Sequence, residues 1–493
     1  MKYCGKERGS ITLFLALILS LLLSLVCTSI ESVRMASART QILNSMDIGL
    51  YSVFGQYDRK LLEEYDLFAL DGSMGGGQLN LAKICDNLES YMKPVLKQNS
   101  QKLELHQSGL TGYRLLTDEC GEVFYQQIVQ YMQETLGSQG VQLLLNKVSD
   151  RERKTEEADL KAKQAETGGS IDRYDSEMDQ ASQKSRQAAQ EAENRQQQEG
   201  QISTQPAPTQ PQADNPISII KRIMKMGILE LVLPPGREIS TRAVSKDTMV
   251  SGRQLQQGME MPDGVTADSS YTSGVLFQQY LMNHLGNYTD PSKESLAYQM
   301  EYVFGGRDND IDNLKSVASK LLFIREGVNF ACLMADNVKR TEAQALAAAI
   351  ASGFLVPPAA VVIESALLLC WAFAESVLDV RELFAGGKIP LVKISADWQI
   401  SLSNLSSLME GLDSMRKNNE HGLSYEDYLQ VLILPVSKEK KVMRAMDMIE
   451  DAIRKKGRAN FYMDSCVVAL EAFAEIKANR KKEFQVIRQY CYE

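Results

Sequence analysis

The feature that most constrains this chain is an uncharged apolar stretch from Gly9 to Ile30, with the sequence GSITLFLALILSLLLSLVCTSI. An α-helix over this stretch is roughly 33 Å long at about 1.5 Å per residue, which matches the hydrocarbon thickness of a bilayer. No other stretch of the chain is both as long and as uninterrupted. We therefore predict that residues 10–30 form a transmembrane anchor whose partner is the lipid bilayer.

Three other interpretations of this stretch fit less well. A cleaved secretory signal has an apolar core of about 7–15 residues, and its small-residue cleavage site would be Ala36–Ala38, beyond Glu31 and Arg34. A lipoprotein site at Cys27 would require a small residue before it, where the chain has Val26. A buried helix of a soluble protein should show one polar face, and the polar side chains here are Ser, Thr and Cys alone.

The charges that flank the apolar stretch indicate its orientation. Lys2, Lys6 and Arg8 lie in the short N-terminal tail, and basic residues near a span favour the cytoplasmic side. The contrast is modest, because Arg34 and Arg39 follow on the other side. We expect a single-pass protein of the cell membrane with a cytoplasmic N-terminus and an extracytoplasmic bulk.

The helix is expected to continue beyond the membrane as a spine from Ile11 to Asp58, about 70 Å long. No proline occurs before Pro94, and Gly49 and Gly55 are the only glycines between residues 31 and 60. Apolar side chains follow one helical stripe: Ile30, Val33, Ala36, Leu43, Met46, Leu50, Val53 and Tyr57. This layout is that of a pilin, in which half of the helix lies in lipid and half supports a soluble domain.

Composition excludes one class of function and leaves the others open. The chain has 493 residues, of which 44% are apolar and 24% charged, as in globular proteins that contain two or three domains. The net charge of −9 argues against nucleic acid as a partner, because nucleic-acid binding requires a basic surface. The oligomeric state is not determined by these properties.

The cysteines do not form a metal or redox motif. Two lie in the tail and anchor, and the other six are scattered, at Cys85, Cys120, Cys332, Cys370, Cys466 and Cys491. No CxxC pair occurs, so neither a zinc knuckle nor a thioredoxin-like site is supported. An exported location would permit disulfides, but buried free thiols are the favoured interpretation, since two of the cysteines lie in apolar helical patterns.

The region after the spine has mixed character. Short strands are predicted at Tyr65–Leu70, Leu103–His106 and Tyr113–Leu116, and helices at Leu79–Met92 and Val123–Lys147. The next segment is rich in Gln, Glu, Lys and Pro and has almost no large apolar residues, as in a solvated linker. We predict five parts: a cytoplasmic tail at 1–9, an anchor at 10–30, a spine with a small α+β domain at 31–148, a linker at 149–216, and a mainly helical C-terminal domain at 217–493.

Helical periodicity dominates the C-terminal domain. Predicted helices cover Ile217–Leu233, Tyr271–Leu285, Leu296–Phe304 and Asn313–Met334, and the tail from Tyr425 to Tyr492 is predicted to be largely helical. The predicted fold class is therefore mainly α with a small α+β part, with a long N-terminal transmembrane spine helix.

An apolar region at residues 343–380 permits two interpretations. Ala343–Ile363 lacks charge and is long enough to span a membrane, but Pro357 and Pro358 interrupt it. Glu364 and Glu375 then follow within the apolar region. We favour two buried helices joined at the prolines over a second membrane passage, which would return the C-terminal part to the cytoplasm.

A search for catalytic motifs selects no residue. His106, His284 and His421 are the only histidines, and no HExxH or GxSxG motif occurs. The Gly386–Lys388 segment lacks the upstream glycine and the Ser or Thr of a phosphate-binding loop. The sequence therefore predicts no catalytic and no cofactor-binding residue, and we expect a protein that is not an enzyme.

One acidic segment resembles the start of a calcium-binding loop. The three aspartates of Asp308–Asp312 have EF-hand spacing, but position six is Asn313 rather than Gly, and position twelve is Ser319 rather than Glu. Without a bidentate glutamate, calcium affinity should be poor. We favour a role in capping the following helix, with Asp312 as the cap, and predict no metal site.

Several segments resemble a family of uncharacterised surface proteins of Gram-positive bacteria, similar in layout to TadE/TadG-like pseudopilins. The segments are Arg8–Leu15, Glu31–Arg34, Tyr65–Phe68, Leu231–Pro234, Glu301–Gly306, Asn313–Lys315, Arg325–Asn329 and Tyr425–Leu429. Processed prepilins carry glycine before the apolar stretch and glutamate at its fifth position. Gly9 fits this pattern and Phe14 does not, which favours a retained, uncleaved anchor.

This resemblance implies a structural function. We expect a membrane-anchored, outward-facing component of a tight-adherence (Flp) pilus or related secretion system, whose partners are pilus or secretion assembly proteins. The alternative is a cell-envelope enzyme or sensor whose helical domain acts on cell-wall material. A deep polar cleft with clustered carboxylates would favour the alternative.

Overall fold

The computed structural model describes residues 7–98, 103–164, 173–176, 179–180, 183, 187, 216–259, 261, 266–353, 359–408, 412, 421–478 and 482–492. Most of the predicted linker therefore lies outside the described residues, as do Pro357 and Pro358. The described strands are β1 (Leu70–Asp71), β2 (Leu103–Leu115), β3 (Cys466–Ala478) and β4 (Lys482–Cys491).

The described helices, in chain order, are α1 (Glu7–Phe54), α2 (Arg59–Tyr65), α3 (Leu81–Lys97), α4 (Asp118–Gln164), α5 (Pro216–Met224), α6 (Ile228–Val232), α7 (Tyr271–His284), α8 (Gln299–Gly305), α9 (Asp310–Ala335), α10 (Asn337–Gly353), α11 (Ala360–Phe384), α12 (Tyr425–Ile433) and α13 (Lys438–Lys455). Short 3₁₀ helices occupy Lys246–Thr248, Ser395–Asp397, Leu402–Ser407 and Met463–Ser465. A mainly helical fold with a small sheet confirms the predicted fold class.

The chain divides into two compact units. The first unit contains Met1–Tyr131, Arg253–Asp268 and Ile453–Glu493, and the second contains Met132–Gly252 and Ser269–Ala452. This division differs from the predicted boundaries at 148/149 and 216/217. The reason is that the last strands of the chain pair with the N-terminal region, a long-range contact that local composition does not reveal.

Helix α1 is unbroken from Glu7 to Phe54, as the spine prediction requires, although it ends four residues before Asp58. All side chains from residue 11 to residue 34 are exposed. The Ser20 hydroxyl donates to the Leu17 carbonyl at 2.9 Å, and the Thr28 hydroxyl donates to the Ser24 carbonyl at 3.0 Å. These two hydroxyl groups therefore satisfy their hydrogen bonds within the helix, as a polar side chain in lipid would need to do.

The second half of α1 forms part of the core of the first unit. Its buried face consists of Ala38, Ile42, Met46, Leu50, Val53 and Phe54. These side chains pack with α3 and with the inner face of the sheet. The predicted stripe is confirmed at Met46, Leu50 and Val53, whereas Ile30 and Val33 are exposed because they precede the packed half of the helix.

Strand β3 is antiparallel to each of the other three strands. Leu70 pairs with Val467, Leu103 with Ala478, and Cys491 with Ala469. The prediction of a largely helical tail is therefore wrong for its last part. The sequence of β3 is rich in Ala and contains two Glu, which favour helices, but from Leu470 onward its buried positions alternate in the period-two pattern of a strand with one covered face.

Other details of the first unit differ from the predictions. The two short strands predicted at 103–106 and 113–116 are parts of the single strand β2, which has register shifts that include one between Leu110 and Gly112. Only Leu70 of the predicted strand Tyr65–Leu70 lies in β1. Helix α3 continues past the predicted end at Met92 to Lys97 and contains Pro94 in its last turn, where the proline cannot donate the usual backbone hydrogen bond to the residue four positions earlier.

Two described helices are long and apolar enough to cross a membrane. The apolar window of α1 is 0% buried, whereas that of α11 is 78% buried within the protein. Helix α11 packs against α9 and α10 in the second unit. Burial of this extent supports the interpretation of α11 as a buried helix, whereas α10 buries one face only, at Ala343, Ala347, Ile350 and Ala351. Helix α1 is the candidate membrane span.

The second unit contains the predicted C-terminal helices with altered ends. The predicted helix Ile217–Leu233 is divided into α5 and α6, and the helix predicted from Leu296 begins at Gln299. Helix α9 begins at Asp310, and its N-cap is Asn309, whose side-chain oxygen accepts a hydrogen bond from the Asp312 amide at 2.8 Å. The predicted cap at Asp312 is therefore wrong by three positions.

Candidate functional site

Four charged side chains meet in the interior of the second unit. Arg325 lies on α9, Glu375 and Asp379 lie on α11, and Lys393 lies in the segment after α11. Each of the four side chains is 0% exposed. We call them the buried charge cluster. Two positive and two negative charges balance one another, which lowers the cost of removing all four from water.

Arg325 connects three parts of the unit. Its Nε donates to Asp379 Oδ2 at 3.0 Å, and its second terminal nitrogen lies 2.8 Å from the same oxygen. Its other terminal nitrogen donates to the carbonyls of Pro390 and Leu391 at 3.0 and 2.8 Å and to the Tyr428 hydroxyl at 3.2 Å. One guanidinium therefore joins α9 to α11, to the 390–391 backbone and to α12.

Lys393 lies between the two carboxylates. Its Nζ donates to Glu375 Oε1 and lies 2.5 Å from Asp379 Oδ1. Glu375 also accepts hydrogen bonds from the backbone amides of Gln399 and Ile400, the latter at 3.0 Å. The ammonium thus fixes the chain after α11 against two successive turns of that helix.

Amide and hydroxyl groups complete the cluster. The Asn329 amide donates to Ser376 Oγ and to Asp379 Oδ2, both at 2.9 Å, and its oxygen accepts from Arg325 at 3.2 Å. Burial alone would raise the pKa of Asp379, but the positive charges of Lys393 and Arg325 hold it below its ordinary value. Asp379 therefore stays ionised.

This arrangement is suited to holding elements together. The charged groups have no solvent contact, and they bond to one another and to backbone groups of neighbouring segments. Removing one member would leave another charge buried without its partner, which disfavours other arrangements of the elements that carry these residues. The cluster links α9 to α11 by ion pairs, and it links α9 to α12 by the hydrogen bond from Arg325 to the Tyr428 hydroxyl.

A groove of about 680 Å³ lies next to the cluster. Its lining is mainly apolar and includes Val328, Ala331, Cys332, Ala335, Val392 and Trp398. The Lys339 ammonium lies 5.1 Å from the ring centroids of both Trp371 and Trp398, within cation–π range. The polar residues of its lining are Asp336, Asn337 and Lys393, so the groove is mainly apolar with one charged end group from the cluster.

A second buried carboxyl group lies on α8. Glu301 Oε1 accepts hydrogen bonds from the Tyr425 hydroxyl at 2.5 Å and from the Tyr288 amide at 2.8 Å. Burial raises the pKa of Glu301 to about 7. The Tyr288 ring in turn contacts Tyr298 and Phe384, with centroid distances of 5.4 and 4.9 Å. This carboxyl group connects α8 to α12 within an aromatic core.

The aspartates of the EF-hand-like segment Asp308–Asp312 contact separate partners. Asp308 forms an ion pair with Lys246 at 3.0 Å. Asp310 is buried, and it accepts hydrogen bonds from the Ala297 and Tyr298 amides, each at 3.0 Å. Within the described ranges, no group of three or more His, Cys, Asp or Glu side chains could hold a metal ion.

We call the buried charge cluster and the hydrogen-bonded group around Glu301 the two buried networks. The sequence patterns select no residue of either network, although several of these residues lie in segments quoted above for their resemblance to the surface-protein family. Arg325 and Asn329 begin and end one such segment, and Tyr425 and Tyr428 share another. The sequence signal that could have indicated the buried charge cluster is the spacing of polar residues along an apolar helix. Charged or amide residues four positions apart on an otherwise apolar helix, such as Glu375 and Asp379, place two polar groups on one face inside the core.

The comparisons with known proteins bear on the same region. A family model described as a family of unknown function, DUF5702, matches residues 207–478, which is more than half of the chain and includes both buried networks. Neither the curated proteins nor the solved structures provide a match. The chain therefore belongs to the family of unknown function DUF5702.

Proposed function

We propose that this chain is a membrane-anchored extracytoplasmic structural protein that takes part in a tight-adherence pilus or a related surface secretion assembly. The observation that carries the proposal is helix α1. Its first half exposes an unbroken apolar surface from Ile11 to Ile30, and its second half lies in the core of the first unit. Exposed apolar area costs about 25 cal/mol per Å² in water, so the first half favours lipid.

The orientation is part of the proposal. The basic N-terminal tail favours the cytoplasmic side, which puts the residues after Ile30 outside the cytoplasm. Burial of α11 supports a single passage. The resemblance to TadE/TadG-like pseudopilins supports a structural role, as do the ionic cross-links among the helices of the second unit.

Membrane fractionation tests the anchor. The full chain should float with liposomes and resist extraction by alkaline carbonate. Replacing Leu19 and Leu22 with Arg should move it to the soluble fraction, because charged side chains at a helix centre cost about 2.5–3.5 kcal/mol each. Val338→Arg is the matched control, since Val338 is also an exposed apolar residue of a helix but lies in the second unit. Extraction of the unaltered chain by carbonate would contradict the anchor.

Two further experiments test the orientation and the role. Protease added to intact cells should cleave within residues 149–216, and protection there would contradict the extracytoplasmic assignment. Deleting the gene should reduce pilus display or surface adhesion. Unchanged pili, or hydrolysis of cell-wall material by the purified chain, would favour the alternative of an envelope enzyme.

A further inference from the structure

Strand β4 follows α1 in the same direction along the first unit. At its start, Lys482 Nζ lies 3.4 Å from Glu31 Oε1. Further along, Arg488 Nε lies 3.2 Å from Asp47 Oδ1. Near its end, the ring of Tyr490 packs on that of Phe54, with a centroid distance of 4.7 Å. The strand therefore begins level with residue 31 of α1 and ends level with residue 54.

The start of β4 lies at the same level as two other strand ends. Lys482 pairs with Ala478, the last residue of β3. Ala478 pairs in turn with Leu103, the first residue of β2. One whole end of the sheet thus lies beside the first residues of α1 that follow the apolar stretch.

The distance from this end of the sheet to the hydrocarbon is short. Lys482 also contacts Met35, with Nζ to Sδ at 3.4 Å. Residues 31–35 lie within about 8 Å of Ile30 along the helix, at about 1.5 Å per residue. The polar layer on each side of a bilayer is roughly 5–7 Å thick. Residues 31–35 therefore span the depth of that layer.

The side chains at this level suit a polar lipid interface. Arg34 and Arg39 are exposed on α1, and Lys482 is about half exposed. Long basic side chains extend to the phosphates at a membrane surface while their stems cover apolar area. The apolar part of α1 is thus followed directly by polar side chains, several of which are basic.

We infer that the end of the sheet formed by Leu103, Ala478 and Lys482 lies in the headgroup layer of the bilayer that holds α1, where Arg34 and Lys482 contact lipid phosphates. This inference rests on the proposed function, because it requires α1 to span the membrane. It adds a second lipid contact, made by the C-terminal strands, and it leaves no flexible stalk between the anchor and the first unit.

Depth-dependent quenching tests this arrangement on the full chain in nanodiscs of phosphatidylcholine and phosphatidylglycerol. Single fluorescent labels are placed at Lys482→Cys, at the native Cys491 and at Leu19→Cys, with the other accessible cysteines changed to Ser. A nitroxide on the lipid headgroup should quench the label at 482 strongly. The label at 491, about 30 Å further along β4, should be quenched only by iodide in water. Glu483→Cys provides a second probe if the label at 482 disturbs the Glu31 contact.

The outcomes separate the two proposals. If labels at 482, 483 and 491 are equally accessible to iodide while the label at 19 is protected in lipid, the sheet end lies outside the headgroup layer and the inference is wrong. If the label at 19 is also accessible to iodide, α1 does not span the membrane and the proposed function fails as well.

Discussion

Arg325 is bound in the interior of the second unit by a carboxylate, two carbonyl oxygens, a phenol and an amide. Such a residue is costly to bury, and its cost is offset only while each partner stays in place. Asp379 is the most connected of these partners, since it also contacts Lys393 and Asn329.

Asp379→Asn should destabilise the second unit by about 3–5 kcal/mol, because Arg325 and Lys393 would then share the single charge of Glu375. Chemical unfolding of the full chain measures this loss. Adding Lys393→Met to the same chain removes one positive charge and should restore part of the stability. Lys93→Met breaks an exposed ion pair with Glu89 and should cost less than about 1 kcal/mol. Unfolding of the Asp379→Asn variant at the wild-type denaturant concentration would contradict the assigned role.

Glu301 makes stability depend on pH in a defined direction. Its pKa is raised from 4.5 to about 7 on folding, so the folded protein binds the proton of the Glu301 carboxyl group more tightly than the unfolded chain does. The stability that the protonated Glu301 carboxyl contributes is fully present below pH 4.5 and is lost as the pH rises through 7. The free energy of unfolding falls by about 3 kcal/mol over this range. Glu301→Gln should flatten this part of the stability–pH curve. Burial also raises the pKa of Glu326 to about 7, so Glu326→Gln measures that separate contribution. An unchanged slope in both variants would contradict the assignment.

At the scale of single elements, sequence periodicity predicted helices well and the C-terminal strands poorly. Helix α1 and the buried α11 have apolar patterns long enough to be recognised without knowledge of their partners. Strand β3 has residues that favour a helix, and it becomes a strand because β2 and β4 cover its two edges. That pairing joins residues more than 350 positions apart, which no local pattern contains.

The contact between α1 and α3 depends on a glycine. A Cβ atom at Gly49 would lie 2.8 Å from Met92 Cγ and 2.9 Å from Leu88 Cδ1. Gly49→Val should therefore force the two helices apart and destabilise the first unit by about 1–3 kcal/mol. Hydrogen exchange along α3 measures this effect. Gly274→Ala in α7 meets no atom within 4 Å, and should be neutral or stabilising by up to about 1 kcal/mol. Unchanged exchange in the Gly49→Val variant would show that the helices do not touch at this point.

At the scale of the whole molecule, composition indicated an anchor and a helical bulk, but not the buried networks. Each network is assembled from residues on helices that are distant in sequence, such as Arg325 and Tyr428 or Glu301 and Tyr425. A sequence shows that a charge lies in an apolar helix. It does not show which charge will face it, because that depends on how the helices pack.

The first unit needs both ends of the chain. Ending the chain after Asp464 removes β3 and β4, which leaves β1 and β2 without a partner and uncovers the buried face of α1. We expect limited proteolysis of this variant to cleave residues 35–116 rapidly, while the full chain resists. Gln485→Ala, an exposed change on β4, is the control and should keep the protection. Equal protection of the shortened chain would contradict the shared core.

This pairing of first helix and last strands has a consequence for biogenesis. In the membrane-anchored arrangement proposed above, α1 would enter the bilayer early in synthesis, whereas β3 emerges only after most of the chain has been translated. At typical rates of about 5–20 residues per second, the wait is of the order of tens of seconds. Throughout that time the apolar face of α1 from Ala38 to Phe54 lacks the strands that finally cover it. Early packing of α3 on α1, or a bound chaperone, would protect this face until β3 and β4 are synthesised.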